Sequence, residues 1–189
     1  LALCLVAFGT AAEASAAVRS RGSIVSISPQ QIVVDDRGGE TMSFAITPQT
    51  GYAAVKALAL SAIQPGSYIG SAAVPAPGGI LRALEVTVFP PNMNGVGEGH
   101  YAWDLTSESS MTNGTVGDLK RTNGDLLTVT YNGGEQKILV PSGTPIVTVG
   151  PGSYAALHPG IKVIVFAEMH APKTAARIIY GENGLMPPQ

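Results

Sequence analysis

The sequence is poor in most residues that carry chemistry. It has a single cysteine, Cys4, inside an apolar segment at its start, so the remainder has neither a disulfide nor a thiol to offer. Charged residues make up 13% of the chain and nearly cancel, leaving a formal net charge of -2. That balance excludes a charge-driven disordered chain and a global basic field for nucleic acid. Aromatic residues are 6% of the total, with one tryptophan, too sparse for the stacking platforms of a single-strand binder. No stretch approaches the roughly 20 apolar residues of a spanning helix. No G-x-S-x-G elbow, H-E-x-x-H helix or P-loop occurs. What is plentiful is glycine (23) and proline (14) against 45% hydrophobic residues, the profile of many short strands separated by turns.

The opening "LALCLVAFGTAAEASAAVRS" is apolar to about residue 11 and is followed by the small-x-small pattern Ala14-Ser15-Ala16. It reads as a secretory signal peptide over residues 1–16 that lacks its charged leading region. A mature protein starting near Ala17 is then expected in the periplasm or outside the cell.

Beyond that point the sequence repeats itself. "IVVDDRGGE" (32–40) matches "LTVTYNGGE" (127–135) at an offset of 95, and "IQPGSYIGSAAVPAP" (63–77) matches "LHPGIKVIVFAEMHAP" (157–172) at 94 to 95. "RGSIVSI" lies over "NGTVGDL", and "ALEVTV" over "AARIIY", both at 92. Order is kept throughout, which reads as an internal duplication. Each copy reads as three strands, a short helix and two strands. In the first, "VKALALSAI" sets Val55, Leu58 and Ile63 near helical spacing, and in the second Ser153 offers a cap for one turn. Gly38-Gly39 and Asn132-Gly133-Gly134 supply hairpin turns, and the five Asn-Gly pairs at Asn94, Asn113, Asn123, Asn132 and Asn183 read the same way. Asn113-Gly114-Thr115 is also formally a glycan acceptor sequon.

This order resembles the OB-fold. With "RGSIVSI", "RGGE", "IQPGSYIG" and "LRALEVTVF" and their counterparts, the chain resembles a bacterial family of exported proteins known only as a domain of unknown function. The resemblance implies an all-β protein with one short helix per module, built as two tandem OB-like five-stranded barrels over residues 17–91 and 113–189, joined by a linker at 92–112.

The linker holds the richest side chains. "GEGHYAWDL" (97–105) contains the lone tryptophan, and the surrounding segment has no counterpart in either copy. A flexible linker would be polar, so Tyr101 and Trp103 are expected to pack, either as a wedge between barrels or as the wall of an interdomain cleft. In the cleft reading His100, Tyr101, Trp103 and Asp104 form the ligand-binding residues: ring faces for an apolar or sugar ligand, with polar groups to orient it. Asp35-Asp36 stands beside a hairpin glycine and reads as a solvated turn. His100, His158 and His170 with Met93, Met111 and Met169 could supply soft metal ligands, but no two histidines have zinc-site spacing. The expected protein is therefore a non-enzymatic binding or scaffold protein of the bacterial cell envelope. It would need no cofactor, and its partner would be an envelope protein, glycan or small ligand. A copper- or zinc-binding accessory protein and a hydrolase working in the cleft are the alternatives.

Overall fold

The computed structural model describes residues 17–122, 124–168 and 172–187. The expected signal peptide with Cys4, and Asn123, Met169 and His170, lie outside the described residues.

Two stretches of chain carry the same succession of elements. The first runs β1 (Ala17–Ser28), β2 (Gln31–Asp36), β3 (Thr41–Ala45), β4 (Gly51–Ala57), a 3-10 turn at Leu60–Ala62, β5 (Tyr68–Ala76) and β6 (Ile80–Val88). After β7 (Gly99–Ala102) come β8 (Ser110–Thr122), β9 (Gly124–Tyr131), β10 (Gly134–Val140), β11 (Ile146–Pro151), a 3-10 turn at Tyr154–Ala156, β12 (Lys162–Glu168) and β13 (Thr174–Gly181). The alternation that marks these strands is visible in β2, where Ile32 and Val34 are buried while Asp35 is exposed.

The chain is all-β, as expected, but it is not two barrels in tandem. All thirteen strands form one sheet. Parallel pairing of β6 with β10, at Leu81–Ile138 and Arg82–Leu139, closes β10, β9, β8, β5 and β6 into a five-stranded barrel. A second ring of β3, β2, β1, β12 and β13 is completed by the pair Thr174–Ala45 and by the Ala45 N–H donating to the Lys173 carbonyl at 2.8 Å. Each ring therefore takes three strands from one stretch and two from the other, so residues 17–91 and 113–189 do not each enclose a barrel. The two rings are joined by β4 and β11, which pair antiparallel about Val55–Val149 and continue the sheet into β13 and β6.

The expected short helix of each module is reduced to a 3-10 turn, at Leu60–Ala62 and at Tyr154–Ala156. Among the described residues the only helical segments are three-residue 3-10 turns, and Ser153 makes no side-chain cap. Val55 lies in β4, fully buried, because pairing on both edges of that strand outweighs the helix propensity of its Ala and Lys residues.

Registers repeat with the residues. Gly22 pairs with Val163 and Gly114 with Ile69; Ile178 pairs with Tyr52 and Val86 with Ile146. The cores correspond as well. Ile24, Ile32, Val34 and Val163 centre one cluster, and Val116, Leu127, Val129 and Ile69 the other. Gly22 and Gly114 are required by the same crossing: a Cβ on Gly22 would collide with the Asp35 carbonyl, and one on Gly114 with the Thr130 carbonyl. Asn113-Gly114 is accordingly buried strand, not the turn expected from its sequence.

Candidate ligand cavity under the β7 strap

Side chains from both rings meet about a pocket that also touches Val149 of β11. Val149, Ile164, Phe166 and Ile179 line it from one side, and Gly70, Thr87, Phe89 and Met111 from the other. Residues 90–109 run past it as a strap, and the half-open cavity has a volume of about 200 Å3. Tyr101 and Trp103 of the strap line it, together with Arg19, Arg21 and Asn113.

Local chemistry fixes the strap on the β8 side. β7 pairs antiparallel with β8 from Gly99–Asn113 to Ala102–Ser110, and the Trp103 N–H donates to the Ser109 carbonyl at 2.8 Å. The Ser109 hydroxyl donates to the Trp103 carbonyl at 2.9 Å. The buried Asn113 amide donates to the Gly97 carbonyl at 2.9 Å and to the Tyr101 hydroxyl at 3.0 Å. Gly97 has φ +61, and a Cβ there would approach the Asn113 amide nitrogen to 2.8 Å, so both its backbone and its lack of a side chain are used. Burial pushes the Tyr101 phenol up from its ordinary value against the opposing charge of Arg19, which keeps its hydroxyl protonated.

The other end is held by charge. Both terminal nitrogens of Arg21 bond Asp104, at 3.0 and 3.2 Å, and Arg19 reaches the same carboxylate at 3.3 Å. The Arg19 guanidinium also lies 4.8 Å from the Trp103 ring centre, a cation–π contact. The Arg21 hydrogen bonds, working against burial and aided by the Arg21 and Arg19 charges, hold the Asp104 carboxyl below its ordinary value.

Beside this latch lies a second pocket of about 210 Å3, walled by Arg19, Arg21, Asp36, Arg37, Asp104 and Leu105. Asp35 is exposed and Asp36 opens the turn that follows β2, its carbonyl accepting from the Gly39 N–H at 2.9 Å. The Asp36 carboxylate accepts hydrogen bonds from the Ser20 hydroxyl (2.9 Å), the Arg21 N–H (3.1 Å) and the Gly38 N–H (2.7 Å). Burial works against its ionisation, but those bonds and the Arg21 charge outweigh it and lower its pKa.

The four expected site residues thus divide. Tyr101 and Trp103 line the cavity, and Asp104 lines the neighbouring pocket. His100 goes elsewhere: its Nδ1 bonds the Thr112 hydroxyl at 2.9 Å, and its ring stacks on Tyr131 at 6.2 Å. Successive side chains of a strand point to opposite faces, which separates His100 from Tyr101. Arg19, Arg21 and Asn113 do not stand out as site residues in the sequence. Their signal lies in the register, since Arg21 and Asn113 each precede a glycine, Gly22 and Gly114, at corresponding positions of the two rings.

His158 is exposed, with Nδ1 3.0 Å from the Pro159 carbonyl. Among the described residues no three His, Cys, Asp or Glu side chains gather as a metal site, and no helix is long and apolar enough to cross a membrane. Comparisons with protein-family models, with curated proteins and with solved structures found no match to this chain.

Proposed function

We propose that the protein is a non-enzymatic binding module of the bacterial cell envelope that encloses a small ligand between its two rings. The observation that carries this reading is the cavity of about 200 Å3 lined by Tyr101 and Trp103, with mainly apolar walls and two arginines. Such a concave apolar site with a few convergent polar groups is the usual form of a small-molecule site. The exported location rests on the apolar opening segment and on the resemblance to exported OB-like proteins.

Trp103 is the only tryptophan, so its emission reports the cavity directly. Titration with 1-hexanol or benzene is expected to shift that emission saturably, and widening Val149→Ala is expected to admit larger probes. If neither probe alters Trp103 emission, nor shifts the methyl NMR signals of Val149, Ile164 and Ile179, the binding reading fails.

A further inference from the structure

The cavity and the arginine-walled pocket are neighbours that share Arg19 and Arg21. One is apolar, whereas the other sets three guanidiniums against the carboxylates of Asp36 and Asp104. Both carboxylates are held ionised by their hydrogen bonds, so the side chains walling the pocket sum to a net positive charge. Arg37 is placed there by its backbone N–H, which donates to the Arg21 carbonyl at 2.8 Å. The Arg21 Nε has no hydrogen-bond partner among the described residues. An apolar chamber opening beside a cationic one fits an amphiphile, and the sign of the charge fixes the head group. Size sets the scale of the tail: a cavity of about 150 Å3 holds benzene. This half-open pocket of about 200 Å3 accommodates a six-membered ring or a six-carbon chain.

We propose that the occupant is a small organic carboxylate with one apolar group of about six carbons, its tail under Trp103 and its carboxylate among Arg19, Arg21 and Arg37. This rests on the binding reading above and adds the ligand's class to it. Asp104 then takes on a further role. It supplies a carboxylate of the protein's own to the same guanidiniums, and so competes with the ligand's head group.

Titrations of the whole protein with hexanoate, 1-hexanol and hexylammonium, read by Trp103 emission and calorimetry at low salt, test the proposal. Hexanoate is expected to bind about tenfold tighter than hexanol, the effect of one charge-assisted hydrogen bond, and hexylammonium weaker than either. The hexanoate-to-hexanol affinity ratio is expected to fall about fivefold in Arg37→Gln and to rise about fivefold in Asp104→Asn. Thermal melts would establish that both variants are folded. If hexanol binds as tightly as hexanoate, or if Asp104→Asn lowers the ratio, the carboxylate proposal is overturned while the cavity reading stands. If none of the three probes binds, both fall together.

Discussion

β1 and β8 occupy corresponding places in the two rings, pair with corresponding strands and carry the same indispensable glycine, yet they hold the strap by different means. Before its glycine β1 has Arg21, whose largely buried guanidinium grips the half-exposed Asp104; β8 has Asn113, whose buried amide grips Gly97 and Tyr101. One end is ionic and half in water, with the Asp104 side chain 47% exposed. The other is neutral and closed off. Matching backbones thus present unlike chemistry, and the strap has one end that salt and acid reach and one that they do not.

The largest expected effect tests the equivalence itself. Gly22→Ala and Gly114→Ala each force a methyl onto a strand carbonyl, and each should cost about 3 kcal/mol, lowering the melting temperature by roughly 6–12 °C. A loss at one site without the other would break the correspondence of the rings. Next comes the neutral anchor. Asn113→Ala removes two hydrogen bonds from a buried position and should cost about 2 kcal/mol, with faster amide exchange along β7. Arg21→Met should cost less than about 1 kcal/mol, because its partner is half exposed. It should leave β7 exchange intact but lower the fluorescence anisotropy of Trp103. Salt at about 1 M should imitate Arg21→Met and not Asn113→Ala.

The smallest effect is acid release. The folded Asp104 pKa lies below its ordinary 3.8, so the latch's contribution is complete above roughly pH 5 and is lost as pH falls through the lowered value. Trp103 anisotropy should be flat from about pH 9 to 5 and drop only in stronger acid. Asp104→Asn should lack that drop, which separates it from the titration of Asp36.

What was legible in the sequence was local. Alternation and turn glycines mark β2, β3, β5, β6, β12 and β13, and the unmatched aromatics mark the strap. β4 and β11 were not recognisable as strands, and they are the two that join the rings. β4 is paired on both edges, and its Ala-rich sequence imitates a helix. β11 shows only the short run Ile146-Val147-Thr148-Val149 between prolines. Partner choice was illegible for a deeper reason. Ile69 and Val163 hold matching places on β5 and β12, so nothing near β1 states which of those strands it will pair with. That choice is made by where β4 and β11 carry the chain. The cavity follows from this choice and was equally hidden, although Tyr101 and Trp103, which line it, stand out in the sequence as the aromatics of the unmatched segment.

The exchange of strands also makes the two stretches of chain interlocked. Cleavage within the strap near Gly95 would leave two fragments, each holding three strands of one ring and two of the other. Neither fragment can satisfy its strand edges alone, so the cut protein should stay together through denaturant that would separate domains merely joined by a tether. By the same logic, either fragment made by itself can complete its rings only by trading strands with a second copy of itself, and should be recovered as a dimer or not folded at all.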